Sequence, residues 1–147
     1  MKKVIAIVFA ALITAGSAHA FDPRDPNERV LKAFNETFNT AQEVRWEEFP
    51  TYFAVSFVNG GIRAKVNYDK EGNMISSIRY YNPQLLPLFI MNKMNKEYPK
   101  KKMFGVTEVT VNSTINYYIK LEDNNNWYTI KIDVDGNSQQ VEKYRKV

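Results

Sequence analysis

Two short stretches decide the fold: VNYDKEGN at Val66–Asn73 and IKIDVDGN at Ile130–Asn137. They superpose without a gap, Asp69 on Asp133 and Gly72 on Gly136. The second stretch runs on to Glu142, and counted from Lys131 it puts Asp133, Asp135, Gly136 and Glu142 at the third, fifth, sixth and twelfth positions of an EF-hand calcium loop. Three features oppose that reading. Lys131 puts a cation where the first acidic ligand belongs, Ser138 takes a position that is normally apolar, and the flanks read as strands, not helices. The matching loop has Ile78 at its twelfth position and so lacks the bidentate carboxylate. A hairpin accounts for every residue: Asp and Asn bond the local backbone and Gly supplies a left-handed conformation. Both stretches are read as turns, with no metal and no cofactor.

If the two stretches are equivalent, the segments around them should match as well. Asp25-Pro26-Asn27-Glu28 reads as a helix start, with Asp25 as N-cap, Pro at the first helical position and Glu at the third. Leu31, Phe34, Phe38 and Ala41 follow at helical spacing. The period then falls to two: Val44 and Trp46, then Phe53, Val55 and Phe57, then Ile62, Ala64, Val66 and Tyr68. Asn59-Gly60-Gly61 marks a tight hairpin between the last two runs. A fourth strand carries Met74, Ile78 and Tyr80 on one side. After Asn82-Pro83 a second helix is expected from about Gln84 to Tyr98, with Pro87 in its first turn and Leu88, Met91, Met94 and Tyr98 on its buried side. Four more strands follow, around Val106–Val111, Ile115–Leu121, Trp127–Asp133 and Gln139–Lys146.

The order helix, four strands, helix, four strands points to an internal duplication, with repeats over about 26–82 and 83–147. Such units each leave one sheet face to cover. The expected fold is α+β: one curved antiparallel sheet of about eight strands with two helices packed on one face.

The N-terminus sets the compartment. Lys2 and Lys3, an apolar run from Val4 to Ile13 and the small-x-small motif Ala18-His19-Ala20 form a secretory signal peptide over 1–20, with cleavage expected after Ala20. The mature chain, 21–147, is then a single domain, periplasmic or secreted, with no membrane span. The only histidine, His19, leaves with the signal, and the sequence has no cysteine. Imidazole- and thiol-based catalysis and the usual zinc sites are thereby excluded. Removing Lys2 and Lys3 lowers the formal net charge from +4 to +2, too little to indicate a nucleic-acid partner. The basic run Lys96–Lys102, interrupted by Pro99, fits a solvated helix end. Glu47 and Glu48 are neighbours on a strand and point to opposite faces, and Ser76-Ser77 has no nearby base, so no enzymatic dyad emerges.

Several motifs together resemble the PepSY-like family of periplasmic proteins, also described as β-lactamase-inhibitor-like. They are AFNETF before VRW, then YFAVSF, VNYDKEGN, LLP opening a helix that ends in EYP, and KIDVDGN near the C-terminus. The order spans about Glu28 to Lys146. One departure is Phe38-Asn39, where the family often has Phe-Pro; Tyr98-Pro99 keeps that form. The resemblance implies tandem α-β units in a curved sheet and a binding or inhibitory role, without catalytic residues.

Alternation offers a candidate site. With Phe53, Val55, Phe57, Ile62, Val66, Ile78, Ile119, Tyr128, Ile130 and Ile132 facing the helices, the opposite face presents Tyr52, Arg63, Lys65, Arg79, Tyr81, Tyr118, Lys120, Trp127 and Lys131. Aromatic and Arg side chains are favoured anchors of protein interfaces, although antiparallel sheets also solvate one face with such residues. The expected partner is a protein of the cell envelope. A glycan or peptidoglycan fragment stacked on Trp127 is the second reading, with Trp46 assigned to the core. A structural homo-oligomer joined through sheet edges is the third.

Overall fold

The structure is a computed structural model that describes residues 26–147. The signal segment 1–20, its cleavage position and Asp25 lie outside the described residues. The chain runs α1 (Glu28–Thr37), β1 (Gln42–Glu48), β2 (Tyr52–Asn59), β3 (Ile62–Asp69), β4 (Met74–Tyr81), a 3₁₀ turn (Pro83–Leu85), α2 (Leu88–Glu97), β5 (Lys102–Val111), β6 (Thr114–Glu122), β7 (Asn126–Asp133) and β8 (Ser138–Arg145). The strands form one antiparallel sheet in sequence order, β1 to β8. No described helix is long and apolar enough to cross a membrane.

Local chemistry accounts for most element ends. Asn27, not Asp25, caps α1, its side chain accepting from the Val30 amide. This satisfies a donor that the first helical turn leaves free. Gly60 and Gly61 form the β2–β3 turn at φ +56° and +78°, values that glycine adopts without a Cβ clash. Asp69 and Asp133 organise the β3–β4 and β7–β8 turns in the same way. Asp69 accepts from the amides of Glu71 and Asn73 and from the Asn73 side chain at 3.0, 2.8 and 2.8 Å. Asp133 accepts from Asp135, Asn137 and the Asn137 side chain at 3.0, 2.9 and 2.8 Å. The helices stop alike, at Phe38 (φ −126°, ψ 53°) and Tyr98 (φ −126°, ψ 54°).

Two apolar cores lie on one face of the sheet. Val30 and Phe34 of α1 pack on Phe53, Val55, Phe57, Ala64, Val66 and Tyr68. Ile90 and Met94 of α2 pack on Val106, Tyr117, Ile119, Leu121, Ile130 and Ile132. Strand register shows that this is a single face: Phe57, Ala64, Arg79, Glu108, Tyr117 and Ile132 are paired in turn from β2 to β7. Trp46 meets the Phe34 ring edge-on at 5.2 Å and belongs to the first core, as expected.

Three expectations are corrected. The second helix begins at Leu88, with Pro87 as its cap, because the preceding turn is 3₁₀. Its buried side includes Ile90 as well as Met94, with Met91 and Tyr98 partly buried against the same core as expected, while Leu88 is exposed. In β4, strict alternation fails. Tyr68 pairs with Met74 but Asn67 pairs with Ser76, so an extra residue is inserted between the paired positions. Such a bulge reverses the facing of everything beyond it. Ile78, expected inside, is thus level with Lys65 on the face opposite the helices, while Arg79 and Tyr81, expected outside, are on the helix side.

Both edge strands are irregular as well. In β1 the register shifts between Gln42 and Arg45, with Glu43 at φ +54°. In β8 the shift leaves Val141 between the paired residues Gln140 and Glu142. Bulged edges are poor templates for strand addition, which disfavours edge-to-edge assembly.

Candidate functional site: the open face of the sheet

One continuous row crosses the face opposite the helices. Val58, Arg63, Tyr80, Thr107, Tyr118, Lys131 and Gln139 are paired in turn from β2 to β8. Paired residues of an antiparallel sheet share a face, and their Cβ atoms lie about 5 Å apart. The row therefore sets two aromatic side chains and two cations on one surface. Among the described residues neither Arg63 nor Lys131 has a carboxylate partner.

Neighbouring rows add charge that is partly neutralised. Lys65 reaches Glu47 at 3.3 Å, with both side chains about half exposed, so the pair contributes at most ~1 kcal/mol. Lys120 contacts Glu142 at 3.0 Å and the Thr129 hydroxyl at 2.6 Å. Thr129 itself donates to Glu142. These bonds hold the Glu142 carboxyl below the usual carboxylate range, the Thr129 hydrogen bond being the largest cause and Lys120 the next. Arg45 stands opposite Ser56 on the same face, with no carboxylate partner among the described residues.

Two clefts share Arg63 and Tyr80 as a common wall. The larger, about 620 Å³, runs from the Gly60-Gly61 turn past Thr107 to Gly105 and Lys120, with Leu85 at its rim. The smaller, about 390 Å³, lies towards β1 and is lined by Glu43, Arg45, Ser56, Val58 and Lys65. At the far end of the face Trp127 pairs with Tyr144, and Lys146 Nζ sits 5.6 Å from the Trp127 ring centre.

Seven of the nine residues expected from the sequence come together on this face: Tyr52, Arg63, Lys65, Tyr118, Lys120, Trp127 and Lys131. Tyr52 is at its rim, stacked on Phe49 at 4.4 Å. Arg79 and Tyr81 do not join them. Both bind Glu108 on the helix side, Arg79 Nη1 at 3.1 Å and the Tyr81 hydroxyl at 2.7 Å. Sequence reading missed Tyr80 and Arg45 as face residues. The β4 bulge that moved Arg79 inward moved Tyr80 outward, and only its pairing with Arg63 reveals the change.

No family model matches the chain, and no curated protein does. Solved structures do. A BLIP-like protein of Bacteroides fragilis matches with TM-score 0.60 at 14% identity, over 82% of this chain and 86% of that one. A DUF2874 family protein of Bacteroides uniformis matches with TM-score 0.57 at 17% identity, over 82% and 90%. A protein of Bacteroides eggerthii provisionally assigned to the periplasm matches with TM-score 0.57 at 16% identity, over 82% and 89%. At such identities the likeness is one of fold: an open antiparallel sheet of eight strands backed by two helices.

Proposed function

We propose that this chain is an exported, non-catalytic binding module that captures a protein of the cell envelope on the open face of its sheet. In this reading it is a PepSY-like, β-lactamase-inhibitor-like protein. The BLIP-like and periplasmic descriptions of its structural neighbours support the class. The carrying observation is the row Arg63–Tyr80–Thr107–Tyr118, in which aromatic groups and a guanidinium without a carboxylate partner among the described residues are held by backbone pairing in the middle of a sheet. Arg and Tyr concentrate binding energy when a partner desolvates them, and a sheet fixes their spacing before the partner arrives.

The test is affinity capture from a cell-envelope extract with the mature protein, followed by the combined variant Arg63→Ala, Tyr80→Ala and Tyr118→Ala. Retention of a partner that the triple variant loses, at unchanged melting temperature, is the expected result. Equal retention by both proteins would place the interface elsewhere.

The pairing of Trp127 with Tyr144 favours a second reading, in which a glycan stacks at that end of the face. Tryptophan fluorescence titrated with peptidoglycan fragments separates the two. A saturable change lost in Trp127→Ala supports the glycan.

A further inference from the structure

The larger cleft contains a residue that the fold does not require. Gly105 lies inside β5, opposite Lys120. Its φ is not in the left-handed region, and a Cβ built there meets nothing nearer than the Lys120 Cβ at 4.0 Å. Neither backbone conformation nor packing calls for glycine. Glycine within a strand costs roughly 0.5–1 kcal/mol relative to alanine. The register shift between Met103 and Gly105 does not demand it either, because only the bulge type with a left-handed first residue needs glycine. What the missing side chain does is leave the floor of the 620 Å³ cleft open.

The walls of that cleft are chemically asymmetric. Arg63 lines it with no carboxylate partner among the described residues, and the cleft's lining contains no carboxylate at all. Lys120 also lines it, but Glu142 and Thr129 already hold its ammonium group. The free positive charge is therefore at Arg63, beside the Tyr80 ring. The lining also includes an exposed apolar side chain, Leu85, 58% exposed, in the 3₁₀ turn that joins the two halves. A cleft of about 620 Å³ exceeds what one side chain fills.

We propose that the Gly105-floored cleft is a peptide subsite for an acidic side chain next to a large apolar one. The carboxylate takes the planar fork of Arg63, and the apolar side chain lies against Leu85 and Tyr80 above Gly105. The guanidinium matches a carboxylate in two parallel hydrogen bonds, which a lysine could not supply. This subsite rests on the reading of the open face as a protein-binding surface and names what such a partner presents there.

The test is an amide-shift titration of the isotope-labelled protein with the blocked tetrapeptide Gly-Asp-Leu-Gly. Its Gly-Asn-Leu-Gly and Gly-Asp-Ser-Gly counterparts and a short oligonucleotide serve as controls. Saturable shifts at Arg63, Leu85 and Thr107 are expected, with ~10-fold weaker binding of either control peptide. Gly105→Leu should abolish the shifts by filling the floor, and Gly105→Ala should weaken them, both with melting temperatures at or above that of the parent. Arg63→Lys should not restore the preference for Asp over Asn. Three results would overturn the subsite: no saturable shift, equal binding to Gly105→Leu, or an oligonucleotide bound as well as the peptide. Failure here is distinguishable from failure of the broader reading. An envelope partner lost in the Arg63, Tyr80 and Tyr118 variant but kept by Gly105→Leu sinks the subsite and leaves the face intact. Peptide binding without any envelope partner does the reverse.

Discussion

The Tyr81 hydroxyl donates to Glu108 Oε2 across the β4–β5 junction at 2.7 Å, and Arg79 holds the other carboxylate oxygen at 3.1 Å. Both strands lie in the middle of the sheet, where the helix-side surface passes from one apolar core to the other. The Glu108 side chain is only 12% exposed, so its charge depends on these two donors. Glu108→Ala should destabilise the fold by about 1–3 kcal/mol, since it strips a half-buried tyrosine and a guanidinium of their shared acceptor. Arg79 is 42% exposed and can turn to water. Arg79→Ala keeps the Tyr81 hydrogen bond on Glu108 and should therefore cost less than Glu108→Ala, about 1 kcal/mol. Urea unfolding of both variants checks the order. An Arg79→Ala loss as large as that of Glu108→Ala would contradict it.

This cluster also marks where sequence reading stopped. The turn chemistry, the change of period from 3.6 to two and the order of eight strands were legible, because each rests on residues close in sequence. The facing of β4 was not. Met74 sits opposite Tyr68 as simple alternation expects, but the inserted residue before Ser76 leaves no local trace in MISSIRYY. A bulge is decided by pairing with two neighbouring strands, so its effect on Ile78, Arg79, Tyr80 and Tyr81 appears only in the folded sheet. The face of α2 was read in part: Met91, Met94 and Tyr98 do pack on the core, and Leu88 does not. Its first turn contains Leu88 and Phe89, both exposed, so apolar periodicity overstated its buried stripe. The open face survived these errors because β3, β6 and β7 alternate without interruption.

Alkaline pH should unfold the protein through its tyrosines. Burial pushes the Tyr68 hydroxyl up to about 12. Tyr81 is raised further, first by burial and then by the hydrogen bond to Glu108 and its charge. The folded state thus keeps protons that the unfolded chain releases near the ordinary value of 10.0. Stability from these groups is complete below that value and falls as pH rises towards the folded pKa values. Circular dichroism between pH 9 and 12 should show a steep loss beginning near 10. Tyr81→Phe should flatten the slope there, whatever it does to stability at pH 7. An unchanged slope would mean that Tyr81 ionises freely.

At the acid end the two Asp turns should act together. Asn73 holds the Asp69 carboxyl below its usual range, by its side-chain hydrogen bond first and its amide next, and Asn137 does the same for Asp133. A depressed folded pKa gives stability that is present above the ordinary carboxylate value of 3.8 and is lost as pH falls through the folded value. Asp69→Asn and Asp133→Asn should therefore each reduce the acid dependence below that value. The same geometry bears on calcium. Asp133 Oδ1 already accepts two amides and Oδ2 the Asn137 side chain, so the turn leaves this carboxylate about one of its four acceptor sites for a metal. Millimolar calcium should leave the melting temperature unchanged. A rise of several degrees that disappears in Asp133→Asn would restore the metal reading.

The two turn glycines look equivalent but should not behave so. Gly72 has φ +94° and Gly136 φ +88°, a region that costs a residue with a Cβ roughly 1–2 kcal/mol. That penalty is common to Gly72→Ala and Gly136→Ala. Their surroundings differ. A Cβ on Gly72 falls 2.9 Å from the Arg29 carbonyl oxygen and 3.2 Å from its carbon, both in the backbone of α1. Relief there requires α1 to lift from the sheet, disturbing the Val30 and Phe34 packing. A Cβ on Gly136 meets only the Lys93 side chain, at 3.4 Å, and a lysine stem can turn aside without moving α2. Gly72→Ala should therefore lower stability by about 1 kcal/mol or more beyond Gly136→Ala, in the range of overpacked sites. Paired urea titrations measure the difference directly. Equal losses would show that backbone strain alone, and not the approach of α1, fixes the glycine at position 72.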